Sequence, residues 1–191
     1  MPGAHMTNAD FEARYKANPD PWGYETSEYE RRKYDATLEA CGHGPYNRAL
    51  ELGSSIGVFS ARLAPRCHSL VTVDAARSAV ADARRRLAGI PSVQVLCGAI
   101  PEAIPVGSFD LVVASEILYY LEPDELAATL ARLRDVLATH GRLVAVHWRP
   151  SGDERPFTAA EVHGLVRRQG WLSPVLSAPT DDYLLDVLER R

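Results

Sequence analysis

Apolar positions follow two different periods along this chain. Short apolar runs at 48–52, 70–73, 93–96, 109–114 and 142–147 read as strands buried on both faces. Between them, 58–64, 78–87 and 123–137 carry apolar residues at helical spacing. Pro65, the Gly89/Pro91 pair and Gly141 close those helices, and Pro123 opens the last one, where a first helical position tolerates it. Residues 158–168 form a further helix, with Thr158 as N-cap, Glu161 completing a capping box and Gly170 as C-cap. Two late β-like runs, 172–177 and 183–188, are separated by the short linker 178–182 and therefore pair antiparallel. The strand–helix alternation predicts an α/β fold built on a doubly wound, mostly parallel sheet.

Residues 8–43 stand apart from this alternation. They are polar and rich in aromatic side chains. Residues 10–16 form a helical turn or two, and Asn18-Pro19-Asp20-Pro21-Trp22-Gly23 is a loop because its prolines and glycine break any helix. Residues 27–41 form a helix with Tyr34, Leu38 and Cys41 on one face, ended by Gly42 and Gly44. The segment is an appendage to a single domain spanning 6–191, and residues 1–5 read as the remnant of an expression tag.

Composition narrows the partners. With 191 residues and 46% hydrophobic content the chain builds one domain with a real core, leaving little for a second, substrate-binding domain. A net charge of -4 without a basic block argues against nucleic acid, and Arg84-Arg85-Arg86 reads as the solvated face of a helix. Cys41, Cys67 and Cys97 form no C-x-x-C pair and the six histidines no H-x-x-x-H pair, so no metal site is expected. Neither a membrane-spanning run nor a signal peptide is recognised, and a cytoplasmic protein is expected.

The chemistry concentrates in Ala49-Leu50-Glu51-Leu52-Gly53-Ser54-Ser55-Ile56-Gly57, with Asp74 following 21 residues after Gly53 at the tip of the second strand. A strand, a small-residue turn, a helix, a strand and an acid are the layout of a nucleotide-type cofactor site. Gly53 and Gly57 permit a sharp turn and close ligand approach, and Asp74 is placed to accept from a ribose. A dinucleotide site reads G-x-G-x-x-G and rests pyrophosphate on the helix N-terminus. Here Glu51 precedes the first glycine and Ser55 replaces the middle one. A carboxylate there repels pyrophosphate but suits an ammonium or sulfonium, as carried by S-adenosylmethionine (SAM).

With these residues the chain resembles class I SAM-dependent methyltransferases, and more narrowly the rhizobial nodulation N-methyltransferase (NodS-like) group. The resemblance rests on Asp20-Pro21-Trp22, Tyr29-Glu30-Arg31, the 49–57 turn, Leu63-Ala64-Pro65-Arg66-Cys67, and above all the run from Phe109 through Ser115-Glu116-Ile117-Leu118-Tyr119-Tyr120-Leu121 to Glu122. It covers most of 18–147 and fades after His147, the region that shapes the acceptor pocket in this class. It implies a seven-stranded Rossmann-like sheet of order 3-2-1-4-5-7-6, last strand antiparallel, with helices on both faces and residues 8–43 as a helical lid. It also implies that Gly53, Ser54, Ser55 and Gly57 line the methionine and ribose portions of SAM and that Asp74, with Ala75, binds the ribose. Gly98, Ala99 and Ile100 face the adenine, where many relatives carry an Asp at the Ala99 position. Ser115 offers its carbonyl to the SAM ammonium, and Trp22 and Arg31 form the lid, Arg31 pairing the SAM carboxylate. Read from the residues alone, Trp22 equally packs on the core and Arg31 equally pairs with a nearby acid.

Methyl transfer from a sulfonium needs alignment and exclusion of water more than activation. An amine acceptor must attack as the neutral base, so Glu116, beside Tyr119 and Tyr120, is the candidate to hold or deprotonate it, with Tyr119 shaping the pocket. The alternative is that Glu116 pairs with Arg31 or caps the next helix. His147, at the tip of the fifth strand, is a second acceptor-side candidate; Tyr15, Tyr24 and His163 are not selected by any pattern. The expected function is N-methylation of an amine on a sugar or sugar-like small molecule. O-methylation, a non-catalytic SAM-binding protein and an NAD-dependent enzyme are the alternatives.

Overall fold

The computed structural model describes residues 5–150 and 155–191; apart from His5, the expected tag remnant lies outside the described residues. Two helices come first, α1 (Asn8–Ala17) and α2 (Glu28–Cys41). Then strand and helix alternate: β1 (Ala49–Leu52), α3 (Val58–Leu63), β2 (Leu70–Asp74), α4 (Arg77–Leu87), β3 (Val93–Cys97), β4 (Phe109–Ser115), α5 (Pro123–Val136), β5 (Leu137–Trp148) and α6 (Ala159–Arg167). The chain closes with β6 (Leu172–Ser177) and β7 (Tyr183–Arg190). One seven-stranded sheet results, in the order β3-β2-β1-β4-β5-β7-β6. β7 runs antiparallel to both β5 and β6, and the other neighbours are parallel.

The strands are continuous apolar runs because both faces are covered. Leu50, Leu52, Val112 and Ala114 turn to one face and pack against α5 and α6 through Leu126, Leu130, Leu133, Val162 and Val166. Ala49, Leu111, Val113, Val144 and Val146 turn to the other, against Tyr34, Leu38 and Cys41 of α2 and Phe59 and Leu63 of α3. The parallel β1 thus ends, with β2 and β4 on either side, between two covered faces, and its tip opens toward α1 and α2.

Three boundaries differ from the sequence reading. The helix over 10–16 is longer, because the Thr7 side chain accepts from Asp10 N while the Asp10 carboxylate accepts from Thr7 N, a capping box built with aspartate. Gly141 does not end α5: the chain enters β5 at Leu137, and the register of β5 on β4 shifts between Phe109 and Leu111. A Cβ at Gly141 would stand 2.8 Å from the Ala138 carbonyl oxygen and 3.1 Å from that of Phe109, so the glycine serves this irregularity. Gly170 does not cap α6, which ends on Arg168 in the right-handed helical region.

Candidate functional site

The tip of β1 opens into a cavity of about 680 Å³, within the ~300–1,000 Å³ usual for small-molecule sites. Its floor is the turn after β1. Gly53 has φ 73°, and a Cβ there would meet Ile117 at 3.1 Å, so the left-handed conformation and the close neighbour both require glycine. Ser55 is also left-handed (φ 49°); its N–H donates to Asp74 Oδ2 at 2.8 Å and its hydroxyl accepts from the Tyr15 hydroxyl at 2.5 Å. Asp74 Oδ1 accepts from Ala76 N at 2.8 Å, leaving each oxygen further acceptor capacity. Burial lifts the Asp74 carboxyl above its ordinary value against these backbone donors.

Glu51 lies under this turn, 3% exposed and lining the cavity. Burial pushes its carboxyl up to about 7; the Ser60 hydroxyl donates to Oε2 and opposes the shift, and the Asp74 carboxylate adds to it. Among the described residues, no cation is one of the groups acting on it. Ser54 Oγ beside it is buried and has no partner. Gly98, Ala99 and Ile100, after β3, and Ser115, at the tip of β4, complete this half of the lining together with Ala75.

α1 roofs the cavity. Glu12 accepts from Ser78 N and Ser78 Oγ, both at 2.9 Å, which ties α1 to the start of α4. Trp22 packs among Phe11, Tyr15 and Tyr24 with ring centroids 5.5–6.0 Å apart, and Phe11 meets Tyr120 edge-on at 4.9 Å. His5, counted with the tag remnant from sequence, stands 3.0 Å from Glu122 at the rim. Trp22 therefore both packs in an aromatic cluster and lines the cavity.

The far wall is an ion cluster. Glu116, left-handed at φ 56° just beyond β4, accepts from Lys33 Nζ at 2.8 Å through Oε1, and from the Tyr119 hydroxyl and Trp148 N (3.1 Å) through Oε2. Lys33, 2% exposed, also reaches Glu30 Oε1 at 3.0 Å. Burial alone would lower the Lys33 ammonium, but the Glu116 and Glu30 carboxylates outweigh it and hold it above its ordinary value. Burial raises Glu30 and Tyr29, the latter to about 12. Arg155 lies over the Tyr119 and Trp148 rings at 4.6 and 5.2 Å.

Three expected site residues stand elsewhere. Arg31 is on the exposed face of α2, 3.7 Å from Glu28, and does not line the cavity. The inward face of α2 carries Glu30, Lys33, Tyr34, Thr37, Leu38 and Cys41, a spacing that turns Arg31 outward and brings Lys33 in. Gly57 starts α3 and sits in its seam with α4 rather than in the cavity. His147 is fully buried behind the wall, where it accepts from Leu118 N and meets His163. Sequence reasoning missed Lys33 and the roles of Glu30 and Tyr29. The signal was present, because Tyr34, Leu38 and Cys41 define a helix face on which Glu30 and Lys33 are charged. Among the described residues no group of three or more His, Cys, Asp or Glu could hold a metal, and no helix is long and apolar enough to cross a membrane.

The model of the nodulation protein S (NodS) family matches residues 5–151. The nodulation protein S of Rhizobium tropici is 32% identical over 133 residues, 69% of this chain and 56% of that protein. The chain spans 56–65% of the length of the curated relatives it matches. A solved structure from Pseudomonas syringae is 36% identical, covering 86% of this chain and 100% of that one, with a TM-score of 0.76. The N-methyltransferase NodS of Bradyrhizobium japonicum WM9, crystallised with S-adenosyl-L-homocysteine, superposes with a TM-score of 0.86 over 97% of this chain and 99% of that one, a likeness of fold at 24% identity. By the family match over 5–151 and these relatives, the chain belongs to the nodulation protein S family.

Proposed function

We propose that this protein is a SAM-dependent methyltransferase whose acceptor is an amine on a small molecule, most simply a sugar or sugar-like compound. The observation that carries the reading is Glu51: a carboxyl 3% exposed, pushed to about 7, lining the cavity with no cation among the groups that act on it. Such a group is costly alone and is satisfied by a ligand that brings the positive charge. The residues fit a sulfonium nucleoside. Asp74 retains lone pairs for the hydroxyls of a ribose, the unpartnered Ser54 Oγ and the Gly53–Ser55 backbone suit an amino-acid arm, and Ser115 and Glu51 suit its ammonium. Ala99 and Ile100 offer an adenine no carboxylate, so backbone and apolar contact serve there. When bound, such a nucleoside supplies an already activated methyl group, and the chain has to orient the acceptor and exclude water. The aromatic roof of Phe11, Tyr15 and Trp22 excludes water. Glu116 and Tyr119, locked to each other and to Lys33, give the acceptor a fixed wall. Three donors already occupy Glu116, so in this reading it orients the acceptor instead of removing a proton. The relative crystallised with S-adenosylhomocysteine, an N-methyltransferase, supports the reading.

Calorimetric titration with S-adenosylhomocysteine and with NADH tests the cofactor, and labelled SAM with a library of amino sugars tests the acceptor. Binding of the first nucleoside alone and label transfer to nitrogen are expected. Absence of S-adenosylhomocysteine binding ends the reading, and label on oxygen corrects its acceptor.

A further inference from the structure

A nitrogen that enters the cavity as an ammonium must lose a proton before it can attack, and the group that takes it needs an uncommitted lone pair inside the cavity. The carboxylates differ in this respect. Of the two carboxylates of the far wall, Glu116 accepts from Lys33, Tyr119 and Trp148 N. Glu30 stands apart: its Oε1 accepts from Lys33 at 3.0 Å, while its Oε2 is buried and has no partner, in a residue 7% exposed that lines the cavity. The hydroxyl of Tyr29, the preceding residue in the chain, is also buried, unpartnered and part of a cavity-lining residue. A buried polar atom left bare is costly, and a charged one more so. Glu30 and Glu116 share one ammonium, Lys33, as their only ion-pair partner among the described residues.

We infer that Glu30 and Tyr29 form the seat for the acceptor's ammonium, with Glu30 Oε2 as the atom that takes its proton. The inference rests on the methyltransferase reading and goes one step past it. An N–H bond of the ammonium breaks, its electron pair stays on nitrogen, and an O–H bond forms on Glu30. The nitrogen is then the neutral nucleophile that a sulfonium methyl donor requires, while Lys33 holds Glu116 in place. Burial, against the pull of Lys33, makes Glu30 a better proton acceptor than an exposed glutamate. The groups that face it are Lys33, Tyr29 and Tyr34 on α2, Asp20 and Tyr24 in the preceding loop, and Glu116 beyond β4.

The test separates this inference from the reading beneath it. S-adenosylhomocysteine is first titrated into wild type, Glu30→Gln and Tyr29→Phe; affinities within threefold of one another show the fold and nucleoside site intact. D-glucosamine and D-glucose are then titrated into each complex. Wild type is expected to prefer the amine by tenfold or more, Glu30→Gln to lose that preference, and Tyr29→Phe to lose part of it. In transfer assays with labelled SAM, Glu30→Gln is expected to lower kcat/KM a hundredfold or more and to move the rising limb of the pH profile to the amine's own pKa. Failure of wild type to prefer the amine, or retention of the preference by Glu30→Gln, overturns the inference and leaves nucleoside binding untouched. Failure of S-adenosylhomocysteine to bind wild type overturns both.

Discussion

His147 Nδ1 lies 3.0 Å from His163 Nε2, and the bonds at either end of this pair fix where its protons are. The Leu118 N–H donates to His147 Nε2, so that nitrogen is bare and Nδ1 carries the hydrogen given to His163. His163 Nδ1 in turn donates to Asp186 Oδ2 at 2.6 Å, and Arg167 holds Asp186 through both oxygens. Burial would lift the Asp186 carboxyl, but the His163 and Arg167 donors outweigh it and hold it at about 2. The C-terminal strand pair is thereby wired, through two imidazoles, to the backbone of the turn that carries Glu116 and Tyr119. Burial holds His147 well below its ordinary 6.5. Protonating Nε2 would turn the acceptor for Leu118 N into a second donor facing it. His163→Phe is expected to raise KM for the acceptor and leave S-adenosylhomocysteine affinity within threefold; equal loss of both would reduce the chain to general packing.

Two buried groups set opposite slopes of stability with pH. Glu51 is raised from 4.5 to about 7, so its contribution is full below 4.5 and is lost as pH rises to 7, on the order of 3 kcal/mol in total. His147 is lowered from 6.5, so its contribution is full above 6.5 and falls by about 1.4 kcal/mol per unit as the pH drops below that. Between about pH 5 and 6.5 the two oppose each other. Urea unfolding across this range is expected to give a shallow dependence for wild type, stability rising with pH for Glu51→Gln, and stability falling with pH for His147→Gln. Parallel slopes in the two variants would refute the assignment.

The same carboxyl makes cation binding pH-dependent. A ligand ammonium favours the ionised Glu51, and part of the unliganded protein must release a proton to present it at neutral pH. S-adenosylhomocysteine affinity is therefore expected to rise several-fold from about pH 6 to 8 and to level off above the Glu51 value. Glu51→Gln should bind about 10–100-fold more weakly at pH 8, the range for a charge-assisted hydrogen bond, with no pH slope. Calorimetry in two buffers of different ionisation enthalpy reads the proton release directly.

How far the chain was legible follows from the range of each signal. The strand–helix alternation and the small-residue turn were readable because they depend on local periodicity, on glycine and on an acid at fixed spacing, whereas the strand order was implied by the family resemblance. Gly53, Ser54, Ser55, Asp74, Ala75, Gly98, Ala99, Ile100 and Ser115 all line one cavity. Of the far wall, Glu116 and Tyr119 were readable, but their pairing with Lys33 was not, because Lys33 and Glu116 are 83 residues apart and no local pattern couples them. His147 was misplaced for a similar reason: a strand tip says where a residue is in the sheet, not whether α6 covers it. Gly141 and Gly170 misled because glycine also serves strand irregularities and open loops.

Arg31 and Lys33 lie two positions apart on α2 and should respond oppositely. Arg31 is exposed and pairs only loosely with Glu28 at 3.7 Å. Arg31→Ala is expected to change stability by less than about 0.5 kcal/mol and to leave nucleoside affinity unchanged. Lys33→Met leaves Glu30 and Glu116 facing each other without a cation, at a cost of about 3–5 kcal/mol. Adding Glu116→Gln to Lys33→Met removes one of the stranded charges and should recover part of that loss. Urea unfolding of the single and double variants measures the coupling, and strict additivity would dissolve the cluster as a unit.

Gly57 gives the sharpest separation between folding and binding. Its φ of 78° strains any residue with a Cβ, and that atom would stand 3.1 Å from Leu87 Cδ1 and 3.2 Å from the Ala83 Cα and Cβ atoms. Left-handed backbone costs alanine about 1–2 kcal/mol, and crowding at the seam of α3 and α4 adds to it. Gly57 does not line the cavity, whereas Gly53 does. Gly57→Ala is therefore expected to lose about 2–3 kcal/mol of stability while binding S-adenosylhomocysteine within threefold of wild type at a temperature where it is folded. Gly53→Ala should lose both, because its Cβ would press on Ile117 beside Glu116 and displace the floor of the cavity. Thermal unfolding and calorimetry on the two variants decide the matter: a Gly57→Ala protein that folds well but has lost the nucleoside would return this glycine to the binding site.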